Sequence, residues 1–512
     1  MSLGGALSIA SGGLANINAQ LALVSHNVAN ASTPSYAVET LDTESLTAGG
    51  VGMGVLTGPA TRSVDQALQG EVLQQNATVS GLQTTQTALQ SLDAISGTPG
   101  QASDLGSLLG KLQDQFSTLL NDPSNATQQS AVVSSATTLA QAINTLSSGY
   151  TTQRQTAENN VVAEVGTVNS TLGTIGTLSN QIIALQSQGQ STADLESQRD
   201  AAVQSLSQLL DVNVLEQPDG GMIVTAASGI TLPTDASQGT SGPLAVSGAN
   251  VQPGSYYPGG GIGAITLDGV DVTDQLTGGA IGANITLRDT TLPTYQAELD
   301  EFSQNLASRF AAQGLTLFTD PNGNVPAGGG NPTQSGYVGF AAEIQVNPAV
   351  QADSALVRDG TTAIAGSPTG ASAFTPNPPG GPQGFTTLIT RILNNALGAD
   401  AQSGVAQPAS ATTGLGPTGT LNAPFATPAT LADFASSLVG AQAADSANAT
   451  SQLSTEQAVQ TTLSSQLSSQ SGVNIDQQMS LMIQLQNSYG ANAKVIGAVQ
   501  SMFTTLLQAV SS

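Results

Sequence analysis

The sequence predicts a mainly α-helical chain with an inserted β domain. The expected form is a long helical rod with terminal coiled-coil helices from both chain ends, plus an outward-facing β-rich domain. Three observations carry this. Apolar residues near both termini recur in alternating steps of four and three, the signature of a helical seam. Residues 211–289 switch to strand and turn character. Aromatics make up 3% of the 512 residues and tryptophan is absent, so a core of Leu, Val, Ile and Ala is expected, which favours long narrow helical packing.

The N-terminal seam runs through Leu3, Leu7, Ala10, Leu14, Ile17, Leu21, Val24 and Val28. It is narrower than the apolar face of an ordinary globular helix. A seam of roughly 26 residues reaches about 40 Å at ~1.5 Å per residue and needs a partner helix. Asn27 and Asn30 are expected to accommodate a left-handed helix end, and Pro34 to push Thr33 out of the helical region. No basic stretch precedes the apolar residues, which are spaced, so a secretory signal is not expected. No contiguous apolar run approaches the ~18 residues that span a bilayer.

After Tyr36 comes a stretch of strand and turn character. Ser63 is then expected to cap a helix carrying Val64, Leu68, Val72, Val79, Leu82, Leu89 and Leu92. Ser103 is expected to cap a second through Leu105, Leu108, Leu109, Leu112, Phe116, Leu119 and Leu120, ended by Asn121-Asp122-Pro123. Residues 125–187 hold no proline between Asn125 and Ser187 and read as a long helix, with Gly149, Gly173 and Gly176 as candidate interruptions. Another helix follows from Thr192 to Leu210. From Asp211 the alternation around Pro218-Asp219-Gly220-Gly221 reads as a hairpin, with strand signals to about residue 289. Helix returns at 294–313. A Gly/Pro/Asn-rich stretch follows, with an ordered island at AAEIQVNPAV, then the short helix FTTLITRILNNAL and a loop-rich 400–428. From Thr430 onward the chain is again helical.

The C-terminal helix supplies a partner for the first seam. Ile475, Met479, Met482, Tyr489, Ala493, Ile496, Phe503, Leu507 and Val510 follow the same rhythm, interrupted by Gln486 and Gln500. A second stripe holds Leu481, Leu485, Val495, Val499, Met502 and Leu506. Two stripes imply two neighbours, one from the same chain and one from another subunit or protein; a wide intramolecular face is the plainer alternative. The expected organisation is terminal coiled-coil helices at 1–35 and 470–512, a helical rod at 36–210, 290–400 and 430–469, an inserted β-rich domain at 211–289, and a Pro/Gly/Thr-rich loop at 400–429.

Charge narrows the function. Nine basic residues face 34 acidic ones, for a net charge of −25, and 8% of residues are charged against roughly 25% in ordinary soluble domains. Nucleic acid and anionic membrane surfaces are therefore not expected as partners, since binding them relies on clustered Lys and Arg, and without a spanning apolar run no membrane insertion is expected. Cysteine is absent, which removes disulfides and thiolate metal sites. GSLLGKL at 106–112 lacks both the spacing of a phosphate loop and its magnesium-binding hydroxyl, and GGGIG at 259–263 lacks dinucleotide spacing. DGVDVTD at 268–274 and DPNGN at 320–324 read as turns and do not reach the closing glutamate of a calcium loop. His26, the only histidine, reads as a helix-end or exposed residue. No catalytic, cofactor-binding or metal residue is assigned, and no cofactor is expected.

The segment HNVANASTPSYA resembles the N-terminal signature of the flagellar rod, hook and hook-associated proteins. Asn27, Asn30, Thr33, Pro34 and Tyr36 match it, with Ser35 in place of the usual Gly. GMGVLTGPATRSVDQAL, ADLESQRDAAVQSLSQLLDVNV, GGAIGANITLRDTTLPTYQAELDEFSQNLA, EIQVNPAVQAD and the C-terminal SGVNIDQQMSLMIQLQNSYGANAKVIGAVQSMFTTLL are similar to the hook-associated protein 1 family. Loops 235–262 and 360–430 match least. The resemblance implies a non-catalytic structural subunit in a homo-oligomeric ring that joins hook to filament, exported by the flagellar type III apparatus without a cleaved signal and located outside the cell. The implied partners are the hook protein, the second junction protein (hook-associated protein 3) and a cytoplasmic export chaperone on the C-terminal helix. Another axial protein of the hook, hook-associated protein 3 or flagellin type, a non-flagellar adhesin, and an enzyme grafted on the insertion are the alternatives. The expected subunit interface comprises Leu3, Leu7, Leu14, Ile17, Leu21, Val24 and Val28 with Ile475, Met479, Met482, Leu485, Tyr489, Ile496, Val499, Phe503 and Leu507.

Overall fold

A computed structural model describes residues 3–33, 36–48, 51–97, 103–234 and 242–511. It is mainly helical, with small sheets in the middle of the chain. The first helix, α1 (Leu3–Asn30), holds no Asp, Glu, Lys or Arg. It is followed by a long antiparallel hairpin, β1 (Glu39–Ala48) and β2 (Val51–Arg62), which pairs Glu39 with Arg62 and carries register shifts after Leu41 and Leu46. Among the described residues α1 is the one helix long and apolar enough to cross a membrane, with a mean hydropathy of 1.3 over its best window. Gly, Ser and Asn break its contiguity, and it packs against the last helix of the chain.

The rod begins with α2 (Gln66–Ser96). Its cap is Asp65, whose Oδ1 accepts the Ala67 and Leu68 amides at 3.1 Å each, so Ser63 is not the cap. Asp104, not Ser103, caps α3 (Leu105–Asn121), taking the Ser107 amide at 2.8 Å. Each aspartate stands at the N-cap position itself, where its side chain reaches the free amides and its charge faces the helix N-terminus. Helix α4 (Ala126–Ser187) then runs 62 residues without a break. Its candidate interruption Gly149 is instead a close-packing point, where a β-carbon would sit 3.0 Å from Ile95. Helix α5 (Ala193–Leu209) packs back on α4.

A three-stranded meander follows: β3 (Val212–Glu216), β4 (Met222–Ala226) and β5 (Thr231–Leu232), with β3 and β4 pairing around the Pro218–Gly221 turn. Val212, Met222, Val224, Ala226 and Leu232 join Val161, Val165, Val168, Val203 and Leu206 in one core, which fixes this small sheet onto α4 and α5. A short ladder, β6 (Thr266–Leu267) and β7 (Val270–Asp271), completes the strands of this region. Strand character does not extend to residue 289: α6 (Gly279–Thr286), a π turn and α7 (Leu292–Ala312) make a nearly continuous helical stretch.

Helix α7 is buried on all sides at the centre of the second core, against Phe116, Ile143, Tyr150 and Phe434. Beyond Ala312 the Gly/Pro/Asn-rich stretch holds only short elements. Short helices α8 (Phe340–Glu343), α9 (Pro348–Ala352), α10 (Leu356–Asp359) and α11 (Thr387–Arg391) alternate with loops. Phe318–Thr319 (β8) pairs with Gln345–Val346 (β9). The expected loop 400–429 contains two small ladders, β10 (Asp400–Gln402) with β11 (Val405–Ala406) and β12 (Thr413–Leu415) with β13 (Leu421–Asn422). Gly and Pro punctuate every turn of this stretch, and its apolar residues cover α7. The DPNGN turn is an Asp turn, with Asp320 Oδ1 accepting the Asn322 and Asn324 amides.

Helix α12 (Leu431–Ser471) opens with a reciprocal cap between Thr430 and Asp433 and runs antiparallel to α2, as Gln75–Glu456 and Gln86–Thr450 bonds record. At Gly472 the chain breaks, and α13 (Ile475–Ser511) returns along α1.

Candidate functional site

The two terminal helices pair antiparallel. Asn27 meets Gln478 near one end, and a β-carbon on Gly13 would stand 3.6 Å from Asn492 Oδ1 further along. Ile17, Val24 and Leu485 form the centre of the seam, with Leu21 and Met482 packed against them. Leu3, Leu7, Leu14 and Val28 are half-buried.

The covered line on α13 is Gln478, Met482, Leu485, Asn492, Ile496 and Val499. It shares Met482 and Ile496 with one sequence stripe and takes Leu485 and Val499 from the other. The intramolecular seam thus lies between the two stripes, which corrects the expectation that one whole stripe faces α1. Leu485 and Val499 are 6% and 7% exposed, while Ile475 and Leu507 are 50% and 66% exposed. Met479 and Ile483 are exposed on one side of that line and Leu481, Val495 and Met502 on the other, while Tyr489, Phe503 and Leu506 fall on the line at seven-residue spacing from Met482, Ile496 and Val499 and are also exposed. The physical reason is that α13 is apolar over most of its circumference, so alternate four-three registers are equally good until a partner chooses one.

A polar joint ties this helix pair to the rod. Asn27 is buried within α1. Its Nδ2 donates to Glu39 O at 2.9 Å, and its Oδ1 accepts the Glu39 amide at 3.1 Å and the Tyr36 hydroxyl at 2.9 Å. One side chain therefore behaves as a strand edge for β1 while reaching Gln478 on α13. Neither Asn27 nor Asn30 adopts a left-handed backbone; among the described residues Asp268 is the non-glycine with positive φ. Asn30 Nδ2 contacts His26 Nε2 at 3.0 Å, and Thr33 N donates to Asn30 O at 2.9 Å. Pro34 lies outside the described residues. So the signature asparagines and Tyr36 hold the turn from α1 into β1, a role that local sequence does not reveal because Glu39 and Gln478 are needed to see it.

At the far end of β2, Arg62 docks on α5. Its Nε donates to Glu196 Oε2 at 2.9 Å and its Nη1 to Asp200 Oδ2 at 2.8 Å. These carboxylates keep the guanidinium above its usual range against the opposing effect of burial. His26 sits on the same acidic face, 3.7 Å from Glu39 Oε2 and 3.6 Å from Asp194 Oδ1. It is not a simple exposed helix end. Burial, then the charge of Asp194, raises the Glu39 carboxyl.

Known proteins bear on this arrangement. A family model described as "Flagellar hook-associated protein FlgK helical domain" matches residues 89–325. A second, "Flagellar basal body rod FlgEFG protein C-terminal", matches residues 464–509, which include α13. A Bacillus subtilis (strain 168) protein, "Flagellar hook-associated protein 1", is 26% identical over 227 residues, 41% of this chain and 44% of its own length. Over these residues the chain is similar to the FlgK helical domain and to flagellar hook-associated protein 1. A solved structure of the flagellar hook junction protein FlgK from Burkholderia pseudomallei is 25% identical, covering 50% of this chain and 46% of that one, with a TM-score of 0.41. The chain spans less than half the length of these hook-associated relatives. The helical-domain match begins within α2 and ends in the loop after β8. It therefore covers the end of α2, α3 to α7 and the small sheet, while the second match covers the end of α12 and nearly all of α13.

Proposed function

We propose that this chain is a non-catalytic structural subunit of the flagellum, forming a ring at the junction of hook and filament through its terminal helices. The observation that carries the proposal is the pair of exposed apolar flanks on α13, one on each side of a seam already closed by α1. Contiguous exposed apolar surface of this kind marks an interaction site. Two unlike flanks suit a head-to-tail contact that repeats around a ring, each copy offering one flank to each neighbour. The ring meets the hook protein on one side and hook-associated protein 3 on the other. Before export by the flagellar type III apparatus to the cell exterior, a cytoplasmic chaperone covers α13. The helical-domain match and the rod-protein match on α13 support this placement.

The test is a strain lacking this chain, complemented with variants. The null strain is expected to build hooks without filaments and to lose flagellin to the medium. Met479→Asp and Met502→Asp, on opposite flanks, are expected to leave the monomer's unfolding midpoint unchanged and still fail to restore filaments. Filaments of ordinary length from both variants would overturn the proposal.

A further inference from the structure

We propose that His26, Glu39 and Asp194 form a site for one divalent transition-metal ion of the zinc type, which fastens α1 and β1 to α5. One donor atom from each of the three residues lies within 4.8 Å of the other two. His26 Nε2 and Asp194 Oδ1 are 3.6 Å apart. That is close to the ~3.3 Å edge of a tetrahedron with ~2.0 Å metal–ligand bonds. Glu39 Oε2 stands 3.7 Å from the other ring nitrogen, Nδ1, so its carboxylate turns toward Nε2 to complete the site.

The tautomer suits the role. The Tyr36 hydroxyl donates to Asn27 Oδ1 and stands 3.1 Å from His26 Nδ1, from which it accepts in the tautomer that leaves Nε2 free for an ion. Nδ1–H thus orients the ring and Nε2 keeps its lone pair, the usual second-sphere arrangement of a metal-binding imidazole. Asn30 Nδ2 currently donates to that lone pair and is the group an ion displaces.

A second, independent observation points the same way. The Glu39 side chain is 4% exposed, and its Oε1 is buried without a hydrogen-bond partner among the described residues. A buried carboxylate oxygen with no partner is costly, and a cation satisfies it. The nearby Arg62 is committed to Glu196 and Asp200. Asp194, with a side chain 65% exposed, opens the site to solvent. One imidazole nitrogen with two carboxylates selects a zinc-like ion over calcium or magnesium, which prefer all-oxygen cages.

Because His26 is the only histidine, the untagged full chain gives an unambiguous readout. Titration with Zn²⁺ alone is expected to show one saturable equivalent, and Co²⁺ substitution to give visible bands of a nitrogen-containing low-coordinate site. Asp194→Asn and His26→Gln are each expected to weaken Zn²⁺ binding roughly tenfold or more. Asp194 is exposed, so Asp194→Asn retains the helical circular dichroism and keeps the test sound if His26→Gln perturbs folding. The proposal is overturned if no saturable equivalent binds, if Asp194→Asn binds like the parent, or if Ca²⁺ binds as tightly as Zn²⁺.

Discussion

Asn27 Nδ2 lies 3.3 Å from Gln478 Oε1, joining residues 451 positions apart and closing the base of the terminal helix pair. The same amide bonds both backbone groups of Glu39. Asn27→Leu would strand the Glu39 amide and carbonyl in a buried place, at about 1–3 kcal/mol for each unsatisfied group. The expected outcome is faster amide exchange in α1 and β1 with unchanged protection in α4. Equal exchange in parent and variant would remove the joint assigned to Asn27.

Arg62→Ala leaves Asp200, whose side chain is 7% exposed, without its cationic partner. Breaking one side of a buried pair costs about 3–5 kcal/mol. Arg62→Lys is expected to recover only part of that, because a single ammonium cannot serve Glu196 and Asp200 with the geometry of a guanidinium. Chemical denaturation of the three proteins gives the comparison.

Leu485→Asp places a charge in the closed seam beside Ile17 and Val24, and Leu21→Asp does so from the α1 side. An unpaired buried charge is strongly unfavourable. Both variants are expected to unpair α1 from α13 and to block assembly while the β3–β5 sheet stays folded. Limited proteolysis should then cut the terminal helices first. Retained protease resistance at both ends would place the seam elsewhere.

Glu298 gives a pH dependence. It is 1% exposed and neither carboxyl oxygen has a hydrogen-bond partner among the described residues. Burial, then the charge of Asp445, pushes its carboxyl up to about 8 from 4.5. The folded state therefore holds a proton that the unfolded state releases between those two values, so the stabilisation is fully present below 4.5 and is lost as pH rises through about 8. At ~1.4 kcal/mol per pH unit the span is at most roughly 5 kcal/mol. Glu298→Gln is expected to flatten this part of the stability curve between pH 5 and 9. An unchanged slope would show that other groups carry it.

The helical character of the chain, its two terminal seams and the switch to strands after Asp211 are all legible in the sequence, because each depends on a period read within one segment. The rhythm from Leu3 to Val28 locates α1, and the alternation around Pro218–Gly221 locates β3 and β4. Local capping was less legible: Ser63 stands close to Asp65, and Ser103 next to Asp104, and only the backbone path shows which side chain reaches the free amides.

The tertiary structure decided what periodicity leaves degenerate. On α13, Met479 and Leu485 fit equally regular stripes, and the side that closes is chosen by where Ile17 and Asn27 stand on α1. It likewise brought His26 to Glu39 and Asp194, residues from three separate elements with no shared spacing. A period describes one helix or strand by itself; a contact depends on the relative placement of two, which the intervening rod supplies.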